Sequence, residues 1–232
     1  MHIENASKRL QKFWGKVDAK HVSLICKQID GKEVLDMGSG YGTTTAGLTR
    51  AGFKCTGIDF DNETVEQAKK MFPECTFLPA NAEALPFADK TFDVVILRDA
   101  LHHFFQEADF EKVKHEILRV SKDKSTLIFF DPNVNFLLKV MRKLSSHKDA
   151  ECNYESAVQI MKELNYQVTY TSFNTLYSLP LSGGYVGLNF VPNIKLLHSI
   201  VIGSENFFER LVNAIGLGRY LSWRYLVVGK RS

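Results

Sequence analysis

Long apolar runs are missing from this sequence. No uncharged apolar stretch approaches the roughly 20 residues that a membrane-spanning helix needs, so no transmembrane segment is expected. The opening stretch, MHIENASKRLQKFWGK, is polar and does not fit a signal peptide. Cysteine is sparse. Cys26, Cys55, Cys75 and Cys152 form no C-x-x-C pair, and none lies near a histidine at zinc spacing. No metal site is expected, and the thiols read as reduced and buried, as in a cytoplasmic protein. A strong charge of one sign is missing too: 29 Lys and Arg stand against 26 Asp and Glu, a formal net charge of +3. No basic cluster resembles a nucleic-acid footprint, so nucleic acid is not an expected partner. There is no internal repeat and no low-complexity linker.

What is present suits one α/β domain. The 232 residues, 45% apolar and 24% charged, can bury a sizeable core. Residues 6–29 read as one or two amphipathic helices, with Gly15 as a break point. EVLDM (33–37), FKCTGIDF (53–60), CTFLPA (75–80), FDVVILRD (92–99) and STLIFFDP (125–132) read as strands. YGTTTAGLTRAG (41–52) reads as a helix stopped by Gly52, and DNETVEQAKKMF (61–72) as one opened by Asp61 or Asn62. Phe110, Val113, Ile117 and Val120 place another helix over 107–121. Further on, NVNFLLKVMRKLSS (133–146) and YESAVQIMKELN (154–165) read as helices. YQVTYTSF (166–173) and YLSWRYLVVGKR (220–231) read as a late strand pair joined by a long insertion. Strands alternating with helices predict a parallel sheet covered on both faces. Right-handed crossovers put the loop after the first strand at the carboxyl edge, near the switch point where ligands bind.

That loop, VLDMGSGYG (34–42), departs from the dinucleotide fingerprint G-x-G-x-x-G. Its glycines are Gly38, Gly40 and Gly42, and Thr43 stands where the third fingerprint glycine belongs. Asp36 precedes the first glycine by two places and would repel a pyrophosphate. A ligand with a cationic head and no phosphate fits better, and S-adenosyl-L-methionine is one. Gly38 and Gly40 let the backbone pass close to its methionyl part. Asp36 can attract its ammonium, directly or through water, and the helix N-terminus after Gly42 can face its carboxylate.

With these residues the sequence resembles the class I S-adenosylmethionine-dependent methyltransferases, in particular their small-molecule branch of methyltransferase type 11. The resemblance extends over roughly residues 30–132 and rests on four segments in order. They are VLDMGSGYG, GIDFD (57–61), NAEALPF (81–87) and FDVVILRDALHHF (92–104). It implies a Rossmann-like, doubly wound α/β fold: a mostly parallel seven-stranded sheet with helices on both faces and a late antiparallel strand. It implies Asp36, Gly38, Ser39 and Gly40 beside the methionyl part and Asp59 on the ribose hydroxyls, with Phe60 beside the adenine. Asn81 stands where the family often has an acid, and its amide oxygen can accept from the adenine amine. Ala82 carries the backbone contact, and Glu83 neighbours it. The loop at Leu97 and Arg98 should close on the methionyl end.

His102, His103 and Asp131 are the candidates for the reaction centre. A base there would deprotonate a hydroxyl or phenol as the methyl arrives. The bland alternatives are a helix cap or a backbone hydrogen bond for the histidines and a turn or cap residue for Asp131. The whole chain is then one methyltransferase domain: a helical lid at 1–30, a cofactor core at 31–132, and a C-terminal half at 133–232. Phe13 and Trp14 either fold over the cofactor or pack on the sheet. An insertion near 175–220 is the expected source of substrate choice. It can line an apolar pocket, rest on a membrane surface or make a homodimer contact, and no basic stripe favours the membrane. Lys195, Glu205, Glu209, Arg210 and Arg219 interrupt it. The expected acceptor is a small molecule, with an apolar or lipid-like one open. Other readings are a non-catalytic cofactor sensor, a nicotinamide-dependent oxidoreductase and an aminopropyltransferase.

Overall fold

The computed structural model describes residues 12–134, 152–181 and 191–232. Residues 6–11 of the first expected helix, and 135–146 of the one expected after the fifth strand, lie outside them.

The elements run α1 (Phe13–Cys26), β1 (Glu33–Met37), α2 (Thr43–Arg50), β2 (Lys54–Asp59), α3 (Asn62–Met71) and β3 (Thr76–Pro79). They continue with β4 (Phe92–Arg98), α4 (Leu101–Glu107), α5 (Phe110–Val120), β5 (Ser121–Pro132), α6 (Tyr154–Glu163) and β6 (Gln167–Asn174). A helical turn α7 (Ser178–Leu181), the long α8 (Lys195–Ala214), a turn α9 (Gly218–Leu221) and β7 (Arg224–Arg231) complete the described residues. The seven strands form one sheet in the order β3-β2-β1-β4-β5-β7-β6. β1 to β5 are mutually parallel. β7 runs antiparallel to both β5 and β6. The order reverses between β1 and β4, which opens a crevice at the carboxyl edge.

Alternation along the strands supplies two cores. Val34, Val94, Ile96, Ile128 and Phe130 face α1 and α2 through Ile25 and Leu48. Leu35, Val95, Leu97, Leu127 and Phe129 face the other side, where α5 and α6 pack through Val113, Ile117 and Ile160. Burial on both faces explains why these strands read as unbroken apolar runs. Asp61 caps α3, its carboxylate accepting the amide protons of Glu63 and Thr64. α1 runs unbroken through Gly15. Phe13 at its start is fully buried against the His198 ring, 5.1 Å away, with Val17 and Val191.

The helix expected over 107–121 is α5, and α4 precedes it as a separate helix that the spacing did not predict. Ala108 takes an extended conformation between them, and an Asp131 carboxylate oxygen, thirty positions away, accepts the first amide proton of α4 at Leu101 (3.3 Å). β5 starts at Ser121, earlier than expected. The polar segment at its start is held because the Arg231 guanidinium donates to the carbonyls of Ser121, Lys122 and Asp123.

Candidate functional site

A cavity of about 490 Å³ opens at the carboxyl edge, inside the range typical of ligand sites. It is lined by Gly38, Ile58, Asp59, Phe60, Asn62, residues 79–83, His103, Phe104 and Ala108. It therefore crosses the ends of β3, β2 and β1 and meets α4 on the far side.

The glycine loop has one floor and one open wall. All three glycines take left-handed φ values, +74° at Gly38, +52° at Gly40 and +81° at Gly42. A Cβ at Gly38 would stand 2.6 Å from the Ala100 Cβ, and one at Gly42 would stand 2.4 Å from the Phe77 ring. At Gly40 a Cβ would meet nothing within 4 Å. Four of the loop's amides are already committed. Gly38 and Ser39 donate to the Ile58 carbonyl, Gly42 donates to the Ser39 carbonyl, and Gly40 donates to an Asp59 carboxylate oxygen at 2.9 Å. The other Asp59 oxygen accepts the Asp61 amide proton at 3.1 Å. The carboxylate is thus fixed at the cavity wall by two backbone donors.

Beside it, the Phe60 ring is 74% exposed, a large apolar face with nothing packed over it. Asn81 is exposed, and its amide oxygen accepts the Glu83 amide proton at 2.9 Å. Ala82 is buried against the core. Glu83 accepts the Asp109 amide proton at 2.8 Å, which pins this loop to the start of α5. The Ser39 hydroxyl oxygen is buried with no hydrogen-bond partner among the described residues.

The two neighbouring histidines divide. His103 lines the cavity with Phe104. His102 does not; its Nδ1 lies 2.8 Å from a carboxylate oxygen of Asp131, and both side chains are buried. The two imidazoles lie 4.3 Å apart, tilted by 36°. Burial pushes the Asp131 carboxyl above its ordinary range, against the opposing pull of His102. Neither His102 nor Asp131 lines the cavity.

Asp36, Ser39, Gly40, Leu97 and Arg98 do not line it either. Asp36 sits on the α2 face of β1 and accepts the Thr45 hydroxyl at 2.6 Å. Burial raises its carboxyl to about 6, against the pull of Thr45 and Arg98. Leu97 and Arg98 are the last residues of β4, paired with Phe129 and Phe130, and both side chains are buried. The loop begins one residue later, at Asp99, whose φ is +56°.

The Arg98 guanidinium turns behind the glycine loop instead. It donates to Asp18 of α1 at 2.5 Å and to the Thr44 hydroxyl of α2 at 3.1 Å, and reaches His21 Nδ1 at 3.4 Å. An arginine can only donate, so His21 Nδ1 accepts and its Nε2–H donates to the Thr175 hydroxyl at 2.9 Å. Burial, with Arg224, Arg98 and Lys20 nearby, lowers the His21 pKa well below the usual value, the direction that an accepting Nδ1 requires. Asp99 pairs with Arg224 of β7.

Sequence reasoning missed Ile58, Asn62, Pro79, Ala80, Phe104 and Ala108 as cavity lining. All but Ala108 adjoin or lie within a motif already singled out, which was the available signal. Nothing local marked Asp18 or His21.

The methyltransferase domain family matches residues 35–129. An uncharacterized methyltransferase of Bacillus subtilis (strain 168), YcgJ, is 35% identical over 103 residues, covering 42% of this chain and 40% of its own. The demethylmenaquinone methyltransferase of Renibacterium salmoninarum is 32% identical over 100 residues, covering 43% and 41%. The chain thus spans about two-fifths of the length of these curated relatives. Among solved structures, geranyl diphosphate C-methyltransferase from Streptomyces coelicolor A3(2), in complex with geranyl diphosphate and S-adenosyl-L-homocysteine, matches with a TM-score of 0.67. That match covers 94% of this chain and 82% of that one at 11% identity, a likeness of fold alone.

Proposed function

We propose that the chain, whose residues 35–129 match the methyltransferase domain family, is a class I S-adenosyl-L-methionine-dependent methyltransferase and transfers a methyl group from that cofactor to a small-molecule acceptor. The observation that carries this reading is the state of the glycine loop. Four of its amides, at Gly38, Ser39, Gly40 and Gly42, donate within the protein. A pyrophosphate would need such amides free. A ligand without phosphate needs only the close approach that Gly40 leaves open.

The residues present fit such a ligand. Asp59, fixed by two amides, has lone pairs left for the two ribose hydroxyls. Phe60 offers its exposed ring to the adenine, and the Asn81 oxygen has a second lone pair for the adenine amine. Ala82 and Glu83 hold the adenine loop in place. Gly38, Ser39 and Gly40 lie along the methionyl side. Asp36 acts from beneath, as a negative charge behind the loop rather than a contact. Leu97 and Arg98 act through their strand end, with the Arg98 side chain bracing α1 against α2.

S-adenosyl-L-methionine, when bound, supplies a methyl carbon already activated for in-line displacement by its sulfonium. The protein must align the acceptor and exclude water. His103 is the side chain placed to take a proton from an acceptor hydroxyl or phenol. His102 and Asp131 form the pair that sets the position of α4, and so of His103. A relative named for demethylmenaquinone favours an acceptor with an apolar portion.

Calorimetric titration with S-adenosyl-L-methionine, S-adenosyl-L-homocysteine and NAD tests the cofactor. Binding of the first two and not the third is expected; tight NAD binding alone overturns the reading. Transfer of a labelled methyl group into a metabolite extract tests turnover. Cofactor binding with no transfer to any fraction would leave a sensor in its place.

A further inference from the structure

The long helix α8 is apolar on both faces. Leu196, Ile200, Phe207 and Leu211 recur on one stripe, and all four are exposed, Leu196 at 71% and Phe207 at 65%. The inward face packs Leu197, Val201 and Ile202 against Phe13 and Val17 and buries His198, Glu205 and Glu209 beside them. A surface helix of a globular protein ordinarily keeps its acids on the outer face and its apolar stripe inside. The buried acids have clear partners. Lys20 of α1 lies 2.7 Å from both Glu205 and Glu209. Glu205 also accepts the amide protons of Leu176, Tyr177 and Ser178 and the Ser178 hydroxyl. Glu209 accepts the Thr175 amide proton.

Drawing the acids inward leaves a surface of one sign. Between positions 194 and 221 the charged residues are Lys195, Glu205, Glu209, Arg210 and Arg219. Both acids are buried, and the three exposed charges are basic, with Arg219 held beside Glu155 of α6. The apolar stripe continues past the helix through Ile215 and Tyr220, a residue type suited to a surface that is apolar on one side and wet on the other. α8 and α9 pack against β6 near its carboxyl end, where the Asn213 side chain accepts the Phe173 amide proton and donates to the Phe173 carbonyl, and that end registers with Arg224 of β7, as the carboxyl end of β5 does. No helix among the described residues is long and apolar enough to cross a membrane.

We propose that the exposed face of α8 and α9 docks on an anionic lipid surface, its apolar stripe entering the headgroup boundary and Lys195 and Arg210 meeting the lipid charge. Apolar area combined with basic flanks is what such binding needs. A second copy of the chain is the poorer occupant, because it would bring cations to cations with no surface acid between 194 and 221 to pair them. The proposal does not depend on the methyl-transfer reading.

Flotation of the full chain with vesicles tests it, comparing phosphatidylcholine alone with phosphatidylcholine containing about one-third phosphatidylglycerol. Binding to the anionic vesicles is expected, weakening as salt rises. Ile200→Ser with Phe207→Ser, and separately Lys195→Glu with Arg210→Glu, should each weaken it by roughly tenfold or more. All four side chains are exposed, so thermal melting should be unchanged, which separates lost docking from lost folding. Absence of binding to either vesicle overturns the proposal. Equal binding to both vesicles overturns its electrostatic part. A concentration-dependent dimer that Ile200→Ser with Phe207→Ser abolishes, with no vesicle binding, assigns the face to a second copy instead.

Discussion

His102 Nδ1 lies 2.8 Å from Asp131, and the other oxygen of that carboxylate accepts the first amide proton of α4. One carboxylate therefore sets both the imidazole and the helix that carries it. His103, the next residue, faces the cavity instead. His103→Ala should lower turnover by about a hundredfold while cofactor affinity stays within about threefold. Single-turnover transfer alongside calorimetry checks this, and unchanged turnover would remove His103 from the reaction.

Asp131→Ala takes the partner from a buried imidazole and an amide. A loss of about 2–4 kcal/mol of stability is expected. Asp131→Asn keeps an acceptor and should cost less. Urea denaturation of both variants gives the order; equal losses would show that the hydrogen bonds are not the cause.

Asp59→Ala should weaken S-adenosyl-L-methionine binding by about ten- to a hundredfold, from the lost charge-assisted hydrogen bonds. The Gly40 amide would also lose its acceptor. A cofactor truncated at the ribose hydroxyls should bind wild type and variant alike, since the contact removed is absent from both.

Much of the fold was legible because β1, β4 and most of β5 are buried on both faces and so read as plain apolar runs. α4 was not, because its start is fixed by Asp131 across the sheet rather than by a local cap. The cavity residues Asp59, Phe60 and 81–83 came through the resemblance carried by GIDFD and NAEALPF. Asp36 shows where that signal runs out. Alternation puts it opposite Leu35 and Met37, but a sequence does not say which face of β1 adjoins the ligand. The burial of Glu205 and Glu209 was equally hidden, since their partner Lys20 is some 185 positions away.

Asp36 offers a pH test. Burial is the main cause that raises its carboxyl from 3.8 to about 6 in the folded protein. Between those values the folded state keeps a proton that the unfolded chain has lost. The group's contribution to stability is therefore full below about pH 4 and falls as pH rises towards 6. Asp36→Asn retains an acceptor for the Thr45 hydroxyl without this dependence. Its stability relative to wild type should improve by up to about 3 kcal/mol between pH 4 and pH 7. A difference that stays flat across that range counts against the raised value.

Gly40 and Gly42 differ in what replaces them. Both have left-handed φ values, so alanine strains either by about 1–2 kcal/mol. At Gly42 the new Cβ also meets the Phe77 ring, whereas at Gly40 it meets open space. Gly42→Ala should therefore melt well below Gly40→Ala. Gly40→Ala should instead show its larger effect in cofactor affinity, because its Cβ enters the approach to the loop. Melting curves and calorimetry on the two variants separate strain from obstruction, and the reverse order in either measurement would contradict the placement of the loop.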